Sequence, residues 1–198
     1  MPSQSFFWFC EDLLNRYCQD ERIFIISGYN KQQQWKPEKY DYFFSNFGGI
    51  WGWASWRRAW QHYDADMSNL EYLASTGYFE KLLGRKLGRI RKKQLLNAKM
   101  QINIGKMDTW AYPWAFSRHL HKGIACVSSV SLISNIGFGD DATHTFASCS
   151  DKIYRNEINI PTCLNRDVKP DPVYDVHFLN QANIFYRILK RIRKLINS

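Results

Sequence analysis

Several features that define common protein classes are missing from this sequence. No run approaches the roughly 18 consecutive apolar residues that a membrane span requires, and the N-terminus lacks the basic-then-apolar pattern of a signal peptide. No Cys-x-x-Cys pair occurs, and the five cysteines are scattered along the chain (Cys10, Cys18, Cys126, Cys149 and Cys163). The sequence therefore predicts neither a disulfide framework nor a structural zinc site, and it favours a cytoplasmic location.

Carboxylates are absent from two strongly basic stretches. Residues 85–99 contain seven Lys and Arg and residues 178–198 contain five, with no Asp or Glu in either. Because the whole chain carries a formal charge of +9, the rest of it carries −3. This distribution predicts a mildly acidic body with two basic appendages, and it argues against a nucleic-acid partner. For residues 85–99, a solvated helix face and contact with phosphate are both open alternatives.

What the sequence does contain is typical of one globular domain of 198 residues, with 45% hydrophobic and 16% aromatic residues. Hydrophobic spacing predicts helices over 5–19, 53–63, 69–83, 85–100 (interrupted at Gly88) and 109–121. Short apolar runs predict strands over 21–28, 40–45, 123–129 and 130–135. We therefore expect an α/β fold with too few strands for a complete nucleotide-binding sheet.

The C-terminal part of the chain is predicted to contain two further segments. Residues 146–177, with three prolines, look like an irregular strap. In residues 178–198, apolar side chains fall on one helical arc and five basic residues on the other, which predicts an amphipathic helix. Such a helix could pack on its own domain or lie on an anionic membrane surface.

The segment FGGIWGWASWRRAW (47–60) concentrates four indoles behind two glycines. Aromatic faces suit the C–H faces of sugars, and arginines suit phosphate or carboxylate. We expect most of these indoles to be core residues and at least one to line a cleft. The candidate ligand-binding residues here are Trp51, Trp53 and Arg57.

The segment MDTWAYPW (107–114) places Asp108 near two indoles. A carboxylate in this setting is a candidate general base, and it is equally a candidate cap for the following helix. Trp110 and Trp114 are candidate substrate contacts.

The segment SNIGFGDDATHT (134–145) contains two glycines, which give the backbone conformational freedom, and many polar groups. This combination is typical of loops that close over a polar ligand. Its candidate binding residues are Asn135, Gly137, Gly139 and His144. The pair Asp64 and Asp66 follows a helix rather than a hydrophobic strand, so we interpret it as a turn rather than as a metal site.

Taken together, IWGWASWRRAWQHYD, DTWAYPW and SLISNIGFGDDATHT resemble a bacterial family of nucleotide-diphospho-sugar transferases, similar to the catalytic domain of N-acetylglucosaminyltransferase I and also labelled hemolytic-protein-like. The resemblance covers roughly residues 2–145. It implies a GT-A fold, a divalent cation (Mn or Mg) held by an acidic motif, and inverting sugar transfer from a nucleotide-sugar to the hydroxyl of a glycan acceptor.

The sequence departs from the family pattern at two places. The acidic metal-binding cluster and the nucleotide-binding strands would precede Met1, so the chain resembles the C-terminal, acceptor-side part (1–145) of such an enzyme, truncated, with a strap (146–177) and a basic helix (178–198) behind it. Ala111 stands where the family usually carries its catalytic aspartate, which leaves Asp108 as the nearest carboxylate. We therefore expect little or no sugar transfer by this chain alone, and no cation bound by it alone.

Two readings of function follow from the sequence. The first is a glycosyltransferase-like protein, cytoplasmic and peripheral to the inner membrane. The alternative is a non-catalytic module that binds a membrane surface or a glycan, based on residues 178–198 and on the indole-rich segment.

Overall fold

The computed structural model describes residues 1–134 and 155–180, and these residues form a mixed α/β structure. The predicted α/β class is confirmed. The described elements are, in chain order, α1 (Gln4–Arg16), β1 (Ile23–Ser27), β2 (Tyr42–Ser45), β3 (Trp53–Ala54), α2 (Arg57–Trp60), α3 (Leu70–Ser75), α4 (Tyr78–Leu83), α5 (Arg85–Asn103), α6 (Ala111–Leu120), β4 (Ile124–Ser128) and α7 (Pro172–Asn180).

The chain divides into two compact units. Within the described residues, the first unit comprises 1–62, 123–134 and 155–170, and the second comprises 63–122 and 171–180. The predicted boundary after residue 145 lies outside the described residues, and α7 runs across the predicted boundary after residue 177.

The first unit is built on a four-stranded sheet of order β2-β4-β1-β3. β1 and β4 are parallel, and each has an antiparallel neighbour on its other side. Every residue of β1, β2 and β4 is buried, which explains why their sequences are continuous apolar runs rather than alternating ones. Because β1 and β4 are parallel, Ser27 and Ser128 end at the same side of the sheet, which we call the carboxyl edge.

Helix α1 corresponds to the helix predicted over 5–19, and it packs against this sheet. Phe6, Phe9, Leu13 and Tyr17 are all buried in a core shared with residues of β1, β2 and β4. The structure confirms the predicted helix. Its apolar residues recur every three to four positions, so they form a single buried stripe.

Both ends of α1 are completed by residues far away in sequence. At its start, the Glu157 carboxylate accepts hydrogen bonds from the backbone N–H groups of Ser5 (2.9 Å) and Gln4 (3.3 Å). At its end, the Arg58 guanidinium donates to the carbonyls of Tyr17 (3.0 Å), Cys18 (3.0 Å) and Ile23 (2.9 Å). The Glu157 contacts satisfy N–H groups that a helix leaves unpaired at its start, whereas Arg58 joins the two residues after the helix, Tyr17 and Cys18, to Ile23 at the start of β1.

The described part of the predicted strap, residues 155–170, is held to α1 and β2 by hydrogen bonds. Asp12 accepts from the backbone N–H (2.9 Å) and hydroxyl (2.6 Å) of Thr162, and Asp41 accepts from the N–H of Cys163 (2.7 Å). Residues 172–177, predicted as the end of the strap, are instead helical and belong to α7.

The second unit packs α3, α4, α5 and α6 around a small apolar core (Met67, Leu70, Phe79, Leu95 and Phe116). The predicted basic appendage over 85–99 is wrong in this respect, because α5 is the longest described helix and buries Leu87, Arg91, Leu95 and Ala98. Two of its basic side chains form salt bridges within the unit: Lys92 with Glu80 (2.6 Å) and Lys99 with Glu71 (2.9 Å).

Gly88 does not interrupt α5, contrary to the expectation from its sequence. A Cβ at this position would lie 2.3 Å from the carbonyl oxygen of Phe79 and 2.5 Å from the backbone of Glu80. The glycine is therefore the place where α4 approaches α5 most closely.

Three other predicted elements differ from the structure. The predicted helix over 53–63 begins with the strand β3 and contains only the four-residue helix α2. The predicted helix over 69–83 is two helices, separated at Gly77, which has a φ of +71°. The described part of the predicted strand over 130–135, residues 130–134, contains only isolated bridges, at Val130 and Ile133.

No helix in the described part of the chain combines the length and apolarity needed to cross a bilayer.

The cysteines in the described residues are free thiols (Cys10, Cys18, Cys126 and Cys163). Burial raises the pKa of the Cys10 thiol to about 12.

Candidate functional site

The carboxyl edge of β1 and β4 brings together polar and aromatic residues of the first unit. β1 is followed by Tyr29 and Asn30, and β4 by Ser129. Because β3 is antiparallel to β1, its first residue, Trp53, pairs with Ser27 at this same edge. In open α/β sheets, ligands bind outside the carboxyl ends of the parallel strands.

Buried polar side chains form the floor of this edge. The Asn30 amide donates to the carbonyls of Ser128 (2.9 Å) and Ser129 (3.0 Å), and the Ser131 hydroxyl lies 3.4 Å from the Asn30 backbone N–H. The Ser27 hydroxyl lies 3.1 Å from the Tyr29 carbonyl. This network ties the ends of β1 and β4 together and fixes the backbone there.

Two hydroxyls on this floor stand out. Ser128 and Ser129 are 0% and 1% exposed, and neither Oγ has a hydrogen-bond partner among the residues that the structure describes. A buried hydroxyl without a partner costs about 1–3 kcal/mol, so such groups are rare in folded proteins.

An aromatic pair stands at the same edge. The rings of Tyr29 and Trp51 lie 4.9 Å apart between centroids, and both side chains are partly exposed. A Cβ at Gly49 would lie 2.3 Å from the Tyr29 ring, so the glycine permits this close packing. The sequence suggested a flexible glycine entry here, whereas the structure packs it tightly.

Gly52 holds the indole-rich segment against the sheet. Its φ is +62°, and an added Cβ would lie 2.1 Å from the Ile133 side chain. Its carbonyl accepts a hydrogen bond from the N–H of Gly28 (3.0 Å). The backbone on which Trp51 and Trp53 stand is therefore fixed by both conformation and packing.

The remaining residues of the segment have different surroundings. The ring centroids of Trp53 and Trp60 lie 5.6 Å apart, and Trp60 is 39% exposed. Trp56 donates to the Leu14 carbonyl (3.0 Å) beneath the Arg58 guanidinium, so it is structural. The side chain of the predicted ligand-binding residue Arg57 is exposed at the start of α2.

The predicted residues Asp108, Trp110 and Trp114 belong to the second unit. Asp108 is exposed and precedes α6 by three residues; it does not cap the helix, whose first N–H instead bonds to the Thr109 hydroxyl (3.1 Å). Trp110 is 39% exposed. Trp114 is 1% exposed, so its indole offers no face to a ligand and is a core residue.

The polar loop predicted to bind substrate, with Asn135, Gly137, Gly139 and His144, lies outside the described residues. Asp64 forms a turn, as predicted: its carboxylate accepts from the N–H groups of Asp66 (3.1 Å) and Ser68 (2.7 Å). Within residues 1–134 and 155–180 there is no cluster of three or more His, Cys, Asp or Glu side chains that could hold a metal ion.

Sequence reasoning missed two features. Tyr29 and Asn30 are not among the predicted site residues, although their position just after a buried strand could have indicated a site. A shallow cleft of about 930 Å³ also lies beside the end of α1, away from the carboxyl edge, with Tyr17 among its lining residues. Burial and a 2.7 Å bond to the Tyr42 hydroxyl raise the pKa of Tyr17 well above its usual value, so the phenol stays neutral.

The second unit contains a buried ionisable group that the sequence analysis did not single out. Arg91 donates from Nε to Nε2 of His119 (3.0 Å), and Arg118 and Asp175 are also almost fully buried. Burial lowers the pKa of Arg91 to about 10 and that of Arg118 to about 9, and it lowers the pKa of His119 well below its usual value. The imidazole is therefore neutral at physiological pH.

Comparison with family models, with curated proteins and with solved structures finds no match to this chain.

Proposed function

We propose that the chain is a glycosyltransferase-type domain that holds a sugar at the carboxyl edge of β1 and β4. The observation that supports this proposal is the pair Tyr29 and Trp51, packed on tight glycine backbone beside a floor of buried Ser and Asn side chains. Trp51 lies in the segment on which the resemblance to nucleotide-diphospho-sugar transferases depends.

Each component of this edge suits a carbohydrate. An aromatic ring offers an apolar face to the C–H face of a pyranose, and its partner ring limits the orientation of that face. The polar side chains of the floor are fully buried, so their part is to fix the backbone on which the aromatic pair stands, through the hydrogen bonds of Asn30 and Ser27. Rigid positioning favours binding because little conformational entropy is lost.

The reaction that we propose is inverting transfer of a sugar from a nucleotide-diphospho-sugar to the hydroxyl of a glycan acceptor. In such enzymes a divalent cation neutralises the departing diphosphate. The described residues do not supply a ligand set for that cation, so we assign no step to it here.

The resemblance implies a general base for the acceptor proton, and in this sequence the carboxylate nearest to the implied position is Asp108, which belongs to the second unit. Its carboxylate is exposed and lies two residues before the half-exposed Trp110. Ala111, at the first position of α6, occupies the place where the resemblance implies the family's aspartate. Because a general base contributes about 10²–10⁴-fold in rate, we propose that transfer by this chain is slow.

The binding part of the proposal can be tested by isothermal titration with nucleotide sugars, with and without Mn²⁺, and with a panel of oligosaccharides. Trp51→Ala should weaken sugar binding roughly tenfold, the effect expected for a lost aromatic contact. Trp8→Ala is the matched control, because Trp8 is an exposed indole on α1. Trp51→Phe, which keeps a ring, should retain part of the affinity.

The catalytic part needs a separate measurement. Ala111→Asp should raise the rate of sugar transfer to a glycan acceptor, and Ala111→Asn, which has the same shape without the charge, should not. Sugar binding that is lost in Trp51→Ala, with no transfer by any variant, would indicate a glycan-binding module instead. No binding of any nucleotide sugar or glycan by the intact chain would refute the proposal.

A further inference from the structure

The basic residues of α5 fall into two groups with different surroundings. Arg91, Lys92 and Lys99 point into the second unit, where each donates to a neighbouring side chain. The others are exposed and make no hydrogen bond or ion pair with the described residues (Arg85, Lys86, Arg89 and Lys93). The fold thus uses three cations of the basic stretch and leaves four at the surface.

These four exposed cations lie on one side of the helix. Arg85, Arg89 and Lys93 follow each other at intervals of four residues, which places them about 6 Å apart along the axis. No Asp or Glu occurs between Glu80 and Asp108. Glu80 itself lies within electrostatic reach of Arg89, but its hydrogen-bonded ion pair is with Lys92. Mutual repulsion on such a face is unfavourable for stability, and an anionic partner would relieve it.

The same side of α5 continues into two exposed apolar side chains. Met100 is 52% exposed and Ile104 is 55% exposed. At 100° per residue, Met100 lies between Arg89 and Lys93 in helical projection, within an arc of about 40°. The outer face of α5 therefore changes along its length from cationic to apolar.

We propose that this outer face of α5, defined by Arg85, Lys86, Arg89, Lys93, Met100 and Ile104, docks on the surface of an anionic phospholipid bilayer. The four cations meet lipid phosphates, and the two apolar side chains reach the boundary between headgroups and acyl chains. The helix has 19 residues and is about 28 Å long, so it can lie flat on the membrane with both parts in contact.

A bilayer fits this face better than a nucleic acid does. Phosphodiester backbones offer anionic partners to the cations but no apolar layer for Met100 and Ile104. A membrane interface provides both within one plane. The proposal does not depend on sugar transfer, because it concerns residues of the second unit that the proposed sugar site does not use.

Vesicle co-sedimentation of the full chain tests this proposal. We expect binding to phosphatidylcholine vesicles that contain phosphatidylglycerol, and little binding to pure phosphatidylcholine. Binding should fall between about 0.1 M and about 1 M salt, where the screening length drops from about 10 Å to about 3 Å. Since each basic residue near an anionic surface contributes roughly fivefold, Arg89→Gln with Lys93→Gln should weaken partitioning roughly 25-fold.

Two comparisons and one check of folding make the experiment decisive. Lys36→Gln with Lys39→Gln removes the same charge from exposed positions of the first unit and should leave binding nearly unchanged. Met100→Ser with Ile104→Ser should weaken binding while preserving its salt dependence. Circular dichroism establishes that each variant is folded.

Several outcomes would overturn the proposal. One is equal loss of binding in the control pair, which would indicate an effect of net charge alone. Another is binding that persists in the α5 variant but disappears in Arg191→Gln with Arg193→Gln, which would assign it to residues 178–198. Preference for duplex DNA over anionic vesicles would identify a nucleic-acid surface, and absence of vesicle binding at low salt would mean a merely solvated face.

Discussion

Mild acid should destabilise the second unit before its carboxylates titrate, because His119 is held neutral in the folded state. Its Nε2 accepts a hydrogen bond from Arg91 (3.0 Å), so a proton on that atom would face a donor and a positive charge. Burial, then Arg91 and Arg118, lower the pKa of His119 well below 6.5. In the unfolded chain His119 has the ordinary histidine pKa, so below about pH 6.5 it binds a proton that it does not bind in the folded unit.

The sign and size of the effect follow from this difference. Because the folded-state pKa is the lower one, stability is highest above pH 6.5 and decreases as the pH falls below it. One proton taken up on unfolding corresponds to about 1.4 kcal/mol per pH unit. Between pH 7 and pH 5, His119 alone should therefore remove about 2 kcal/mol from the free energy of unfolding.

Urea unfolding at several pH values, followed by circular dichroism of the helices, measures this loss. His119→Gln keeps an acceptor for Arg91 but cannot titrate, so its free energy of unfolding should change about 2 kcal/mol less than that of the natural chain. His121→Gln removes a neighbouring exposed imidazole and should behave like the natural chain. If His119→Gln and the natural chain lose stability in parallel over this range, the reasoning about the buried imidazole is wrong.

Three further predictions concern residues of the first unit. Gly52→Ala should cost about 1–3 kcal/mol more than Gly77→Ala in thermal unfolding, since both have positive φ but only Gly52 has a side chain within contact. Arg58→Ala should lower the free energy of unfolding by about 2 kcal/mol and Arg57→Ala by less than about 0.5, because only Arg58 bonds to backbone carbonyls. Glu157→Gln should speed amide exchange in the first turn of α1. Because the pKa of Glu157 is lowered in the folded chain, the natural chain should lose stability as the pH falls through that pKa, and the variant should not show this loss.

The elements predicted correctly are those whose local pattern agrees with their final contacts. β1 and β4 are short apolar runs that become fully buried, and α1 has one apolar stripe that meets the sheet. In each case hydrophobic spacing alone determines which side must be buried, so no distant residue is needed to predict the element.

The failures occur where a distant contact overrides local spacing. Trp53, Trp56 and Trp60 have helical spacing, but pairing of Trp53 with Ser27 draws the start of the segment into the sheet. Gly88 was interpreted as a helix breaker, whereas it makes room for the backbone of α4. Neither partner can be inferred from the neighbouring residues.

The candidate site divides in the same way. The sequence indicated an aromatic site around Trp51, but not its partner Tyr29, because that pairing depends on the sheet. Trp110 and Trp114 are four residues apart and equally suitable by composition. Only the structure separates them, since α6 begins after Trp110 and turns Trp114 into the core.

The order in which the ribosome delivers these segments has a consequence for biogenesis. Strand β1 emerges early, yet its central neighbour β4 follows after the helices of the second unit, and the Glu157 that completes α1 comes later still. Until then the side of β1 that pairs with β4 is an unpaired apolar strand edge, which is a template for aggregation. Slow translation between residues 62 and 123 should therefore prolong this exposure and increase the dependence of soluble yield on trigger factor or a similar holding chaperone.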